Sequence, residues 1–144
     1  MNIYLTEYSM SNAQRSMFKY ACCKKYDLED RLVNYTCRMI DVVEALPNSR
    51  AGNYIAGQLV KSCHSPTFNY GEVQAAESRA DFIHKLGVCL KELKECRTAL
   101  NIIIKREMIK PVAKLQDIFK ETEELVAIIA KSIETARNNV GSSK

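Results

Sequence analysis

The chain has 144 residues, enough for one domain with a full core and too few for two comfortable ones. Apolar residues make up 47% and charged residues 26%, with 5 Gly and 3 Pro, a composition that excludes a disordered or turn-rich chain and points to a compact helical one. The net charge of +4 is unevenly placed: residues 1–26 hold Arg15, Lys19, Lys24 and Lys25 against Glu7, whereas the remaining 118 residues carry 17 basic against 16 acidic side chains.

The opening "MNIYLTEYSM" lacks the basic start and apolar block of a secretory signal. The longest apolar runs, "ALNIII" at 99–104 and "LVAIIA" at 125–130, fall far short of the roughly 20 residues that span a bilayer. A cytoplasmic protein without a membrane segment is therefore expected, with its six cysteines (22, 23, 37, 63, 89, 96) as reduced thiols that behave as small hydrophobes. Residues 1–26 are expected to be an extension outside the folded unit, poorly ordered or the product of an upstream start codon.

From Asp27, the apolar positions Leu28, Leu32, Tyr35, Met39, Val42 and Leu46 step by 4, 3, 4, 3, 4 and predict a first helix, capped by Asp27 and closed by Pro47-Asn48. A second helix is expected from near Ser49 through Ile55, Leu59, Cys63, Pro66, Tyr70 and Val73. Its spacing continues across the proline, so a kink is expected near Ser62 to Ser65. Ser78 followed by Asp81 reads as a capping box opening a third helix, whose seam is Phe82, Leu86, Cys89, Leu93, Cys96, Leu100 and Ile103. Pro111 suits the first turn of a fourth helix with Leu115, Phe119, Thr122, Val126, Ile129 and Ile133 on its seam. The fold class that follows is all-α: an antiparallel up-down four-helix bundle over residues 27–138, with 139–144 as a flexible tail.

Apolar positions remain beside these seams: Ile83, Leu90 and Ile104 on the third helix, Leu125 and Ile128 on the fourth. They are expected either to form an oligomer interface or to thicken the core of a broad bundle. Arg97 shares the row of Ile83, Leu90 and Ile104, where an uncompensated guanidinium is costly. It must therefore pair with an acid across a subunit contact or face a water-filled channel able to hold phosphate. Residues 50–110 carry ten Lys/Arg against six acids, and Lys61, Arg79, Lys85, Lys91, Lys94 and Arg97 are the candidate nucleic-acid contacts. Taken singly, each lysine reads as part of a solvated helix face partnered by Glu92 and Glu95.

Catalytic and metal chemistry find little support. Cys63 and His64 are neighbours on a helix and point about 100° apart. No clustered Cys/His spacing suits zinc. Asp81 and His84 stand at i, i+3, but a carboxylate-bridged di-metal site needs a second such pair and two further carboxylates. No glycine-rich phosphate loop follows a strand. No catalytic residue, metal site or cofactor is expected.

The run "GQLVKSCHSPTFNYGEVQAAESRADFIHKLGVCLKELKE" at 57–95 carries Gln-Leu, Asn-Tyr-x-Glu, Ala-x-Ser-x-Ala-Asp-Phe and Leu-Lys-Glu landmarks. It resembles the bacterial four-helix-bundle family of 23S rRNA-intervening-sequence proteins, more weakly from residue 27 to 138. The resemblance implies an up-down bundle assembling as a ring, commonly a pentamer. It also implies kinship with accessory proteins of diversity-generating retroelements, which bind nucleic acid and a reverse transcriptase through a basic surface or central channel. The family supplies no catalytic residue. The expectation is a non-enzymatic homo-oligomer that binds RNA or DNA weakly and without sequence preference. The alternative is an interaction module that docks a partner such as a reverse transcriptase, its cations only solubilising.

Overall fold

Each of the first three helices begins where a short polar side chain can accept from otherwise orphaned amides. The structure, a computed structural model, describes residues 27–138; the expectations for residues 1–26 and 139–144 lie outside these. Its helices are α1 (Leu28–Glu44), α2 (Arg50–Gln74), α3 (Arg79–Lys105) and α4 (Gln116–Asn138), with a short 3-10 turn, Val112–Leu115, leading into α4. Asp27 Oδ1 accepts from the amides of Glu29 at 3.0 Å and Asp30 at 3.3 Å. Ser49 Oγ accepts from Gly52 N at 3.0 Å, and Ser78 Oγ from Asp81 N at 3.1 Å. Asp81 Oδ2 closes the third cap by accepting from Glu77 N at 3.3 Å, one residue before the cap position. A Cβ at Gly52 would collide with the Pro47 carbonyl, so the tight α1–α2 connection requires glycine there.

The fourth helix starts later than its sequence suggests. Pro111 is extended, with φ −70° and ψ 145°, and stands before the 3-10 turn instead of inside the first turn of α4. Upstream, α3 ends with Glu107 N donating to Ile104 O at 3.0 Å and Met108 N to Ile103 O at 3.0 Å, the paired bonds of a Schellman ending. The residue in the left-handed position is Glu107, with φ 48°.

The core follows the seams. Leu32, Tyr35, Met39 and Val42 of α1, Leu59, Cys63, Pro66 and Val73 of α2, and Leu86, Cys89, Leu93, Cys96, Leu100 and Ile103 of α3 are buried. On α4 the buried stripe is broader than the expected seam and includes Ile118 and Leu125. Leu125 is 0% exposed within its own chain, so it belongs to the core and has no surface to offer another copy. Ile83, Leu90 and Ile104 are half-buried against the core, and Ile128 is half-buried on α4. The large apolar side chains that face solvent lie elsewhere: Val33 and Ile40 on α1, Tyr54, Val60 and Phe68 on α2, and Ile102 on α3.

Helix α2 runs unbroken through Pro66. The ring nitrogen has no hydrogen for the Ser62 carbonyl, and hydroxyls crowd around this turn. Thr36 Oγ1 lies 2.9 Å from the Cys63 carbonyl and 2.7 Å from Thr67 Oγ1, which is 3.2 Å from the Leu32 carbonyl. Two hydroxyl hydrogens thus serve three contacts that tie α1 to α2. Along this pair Glu29 meets Gln74, Leu32 meets Thr67 and Thr36 meets Cys63, so rising numbers on one helix meet falling numbers on the other. The α2–α3 pair behaves alike: Ser62 Oγ donates to Glu95 at 3.0 Å, and Cys89 Sγ lies 3.7 Å from the Pro66 carbonyl. Between α1 and α4, Thr122 Oγ1 donates to the Ile118 carbonyl at 2.7 Å, which leaves it to accept from buried Tyr35 Oη at 3.0 Å.

Candidate nucleic-acid interface

Tyr54, Lys61 and Phe68 stand seven residues apart on α2, nearly two full turns each, and therefore share one face. That face is turned to solvent: Tyr54 is 69% and Phe68 71% exposed. The His64 ring is tilted against Phe68 with centroids 5.9 Å apart. Beside this row, a groove of about 460 Å³ runs between α2 and α3, bounded by Tyr54 and Gln58 on one side and Lys91, Lys94, Thr98 and Ile102 on the other. The Ser62–Glu95 hydrogen bond crosses it, and Lys91 Nζ reaches Glu95 at 3.7 Å.

The six candidate cations do not converge on one patch. Lys91 and Lys94 share the groove, and Lys61 stands on the outer row of α2. Lys85 is committed to Asp81 at 2.9 Å; this contact holds the Asp81 carboxyl below and the Lys85 ammonium above their ordinary values. Arg79 is the exposed first residue of α3, and Arg97 is half-buried in the register of Ile83, Leu90 and Ile104. Among the described residues, Lys61, Arg79, Lys94 and Arg97 have no acid within ion-pair distance in their own chain. The exposed aromatics Tyr54 and Phe68 escaped the sequence reading, although their seven-residue spacing about Lys61 was visible.

Cys63 and His64 meet despite their angular separation: Sγ lies 3.4 Å from Nδ1. The same nitrogen is 2.6 Å from the Val60 carbonyl. A carbonyl only accepts, so Nδ1 carries the hydrogen and is no base toward the thiol. Burial pushes the Cys63 and Cys89 thiols up to about 11 and Cys96 up to about 12. Among the described residues no three His, Cys, Asp or Glu side chains gather where they could share a metal ion. None of the described helices is long and apolar enough to cross a membrane.

The model of the family described as "23S rRNA-intervening sequence protein" matches residues 24–131. The chain belongs to that family. A crystal structure from Bacteroides thetaiotaomicron, a protein of unknown function from the S23 ribosomal protein family, superposes with a TM-score of 0.66. It is 27% identical and covers 74% of this chain and 94% of its own. No curated protein matches. The α2 row and all six cations fall inside the matched 23S rRNA-intervening sequence segment, whereas residues 1–23 and the last turns of α4 fall outside it.

Proposed function

We propose that the protein is a non-enzymatic, homo-oligomeric bundle that binds single-stranded RNA or DNA weakly and without sequence preference. The observation that carries this reading is the solvent-facing row Tyr54–Lys61–Phe68 beside the Lys91/Lys94 groove. Exposed aromatic rings offer every base a face to stack on, at about 1–3 kcal/mol per base, and neighbouring cations track the phosphates. Among the described residues Lys61 and Lys94 have no acid within ion-pair distance, so their charge is not cancelled there. Ile83, Leu90, Ile104 and Ile128 keep partly uncovered apolar surface through which copies can assemble. A ring, taken here as a pentamer in the cytoplasm, repeats a modest site many times, and phosphate affinity rises steeply with the number of contacts. Arg97, half-buried and with no acid within ion-pair distance among the described residues, would face the axis of that ring. Membership of the 23S rRNA-intervening sequence family favours an RNA-linked role, and a kinship with retroelement accessory proteins, which is part of this proposal, would extend it to a reverse transcriptase partner.

Anisotropy of labelled single-stranded RNA at two salt concentrations tests the proposal. Binding is expected at low salt, to weaken on raising the salt, and to fall by roughly thirtyfold or more in Tyr54→Ala with Phe68→Ala. Absence of binding at low salt, or binding insensitive to salt, overturns it. A second reading, a scaffold that docks a protein partner, is favoured by the same groove because Tyr54, Ile55 and Ile102 leave it partly apolar. Arg97→Ala with light scattering separates the roles: lost RNA binding with an intact oligomer supports the phosphate role, and a lost oligomer makes Arg97 an interface residue.

A further inference from the structure

The groove between α2 and α3 holds a charge that phosphate binding does not call for. Among the described residues that line it, Glu95 is the one acid, set beside Lys91 and Lys94 of the same helix. The ordinary role of such a glutamate is to partner Lys91 at i, i+4. Here Lys91 Nζ and Glu95 Oε1 stand 3.7 Å apart, beyond hydrogen-bond reach, and both side chains are largely exposed, so the pair is worth little. What holds the carboxylate is Ser62. Thr98, Thr122 and Ser132 turn their hydroxyls back to the carbonyl four residues earlier, the usual arrangement inside a helix, whereas buried Ser62 reaches across to α3 and donates to Glu95 Oε2 at 3.0 Å. That bond occupies one acceptor site of Oε2. A carboxylate has about four such sites, so Oε1 and the rest of Oε2 stay open to a ligand that donates.

We propose that Glu95, with Lys91 beside it, reads the Watson–Crick edge of a guanine base in the bound single strand. This inference rests on the nucleic-acid reading above, and adds one base-distinguishing position to contacts that are otherwise indifferent to sequence. The guanine edge presents in order the O6 acceptor, the N1–H donor and the N2–H donor. An ammonium followed by two carboxylate oxygens is its complement. Cytosine presents a donor and then two acceptors, which sets its N3 and O2 against the carboxylate. Adenine offers its N1 lone pair there. Uracil keeps one matching N3–H between two carbonyl oxygens, of which only O4 can take the ammonium. Guanine alone of the four satisfies all three protein groups. The groove also has the length required: Tyr54 and Ser62 are eight residues apart on α2, about 12 Å of helix, enough for one base stacked on Tyr54 and another held at Glu95. Lys94 lines the same groove and has no acid within ion-pair distance among the described residues, so it is left for the phosphate between them.

The test compares, by anisotropy with the full chain at low salt, a labelled short oligouridine with the same strand carrying guanosine, inosine or 7-deazaguanosine at one central position. Guanosine is expected to tighten binding about fivefold or more. Inosine, which lacks the N2 amino group, is expected to lose part of that gain, and 7-deazaguanosine, altered only on the opposite edge, to keep all of it. In Glu95→Gln the guanosine gain is expected to disappear. Equal binding of the uridine and guanosine strands, a gain that survives in Glu95→Gln, or a gain lost with 7-deazaguanosine overturns this inference and leaves the sequence-independent reading standing. No binding of any strand overturns both. Unlabelled GMP separates a strand from a free nucleotide: at a concentration equal to that of the guanosine strand it is expected to leave the strand bound, and displacement would assign the site to the mononucleotide and overturn the proposal.

Discussion

At the scale of single residues, the imidazole next to a thiol shows how a suggestive pair is disarmed. The 3.4 Å approach of Cys63 Sγ to His64 Nδ1 has the separation of a nucleophile and its base, but the Val60 carbonyl at 2.6 Å consumes the only hydrogen Nδ1 can carry. Cys63 is also 0% exposed, and the loss of hydration holds its thiol at about 11, so little thiolate exists at neutral pH. Alkylation of the native protein at pH 8, followed by peptide mass mapping, is expected to modify exposed Cys37 and to spare Cys63, Cys89 and Cys96. Rapid labelling of Cys63 would reopen the enzymatic reading. This pair was legible in the sequence only as adjacency. Its separation of about 100° on the helix spoke against contact, yet side-chain torsions bring the atoms together, and what disarms them is a backbone carbonyl that no spacing rule reveals. Tyr54 and Phe68 were missed for the opposite reason: an aromatic at helical spacing is usually core, and only burial shows that these two are not.

At the scale of elements, periodicity carried most of the fold, because a helix with a 4-3 apolar seam has one face to bury and the next helix supplies the surface. The seams of α1, α2 and α3 are buried except toward their ends, where Leu28, Leu46, Ile55, Tyr70 and Phe82 are only partly covered, and the continuity of α2 across Pro66 was readable from Cys63, Pro66 and Tyr70. The α3–α4 connection was not readable. Proline suits both a first helical turn and an extended approach to one, and nothing local distinguishes them. Nor does the sequence mark the end of α3 with the usual glycine: Glu107 takes the left-handed position at φ 48°, where a Cβ crowds the carbonyl that follows. Its exposed ion pair to Lys110 at 3.4 Å offsets little of that strain. Glu107→Gly is therefore expected to stabilise the protein by about 0.5–1 kcal/mol, with the rest of the fold unchanged. Urea denaturation of both proteins measures it; a destabilised variant would mean that the Glu107 side chain holds the connection through contacts worth more than the strain.

At the scale of the whole molecule, the bundle is closed where α1 meets α4, and two contacts from opposite ends of the chain make that closure. One is the buried Tyr35–Thr122 hydrogen bond. The other is Arg31, whose Nε donates to Glu121 Oε1 at 2.6 Å and whose Nη2 donates to Glu121 Oε2 at 2.9 Å and to Glu124 Oε2 at 2.6 Å. Ninety residues separate Arg31 from Glu121, so no helix pattern could pair them; the sequence showed only that acids and bases were segregated by segment. Arg31 hydrogen bonding holds the Glu121 carboxyl below its ordinary 4.5, and the unfolded chain therefore binds more protons than the folded one across the interval between the two values. The stability that this ion pair adds is fully present above the unfolded value and is lost as the pH falls through the folded one. Arg31→Gln is expected to cost about 1–2 kcal/mol at pH 7, the worth of charged hydrogen bonds discounted for partial exposure, and the gap to the natural protein should narrow as the pH falls below the ordinary 4.5 of Glu121 and close below its lower folded value. Guanidinium would screen the ion pair, so urea unfolding from pH 7 down to pH 3 is the measurement. A gap that stays constant over that range would assign Arg31 to packing of its stem across the α1–α4 contact instead of to its charge.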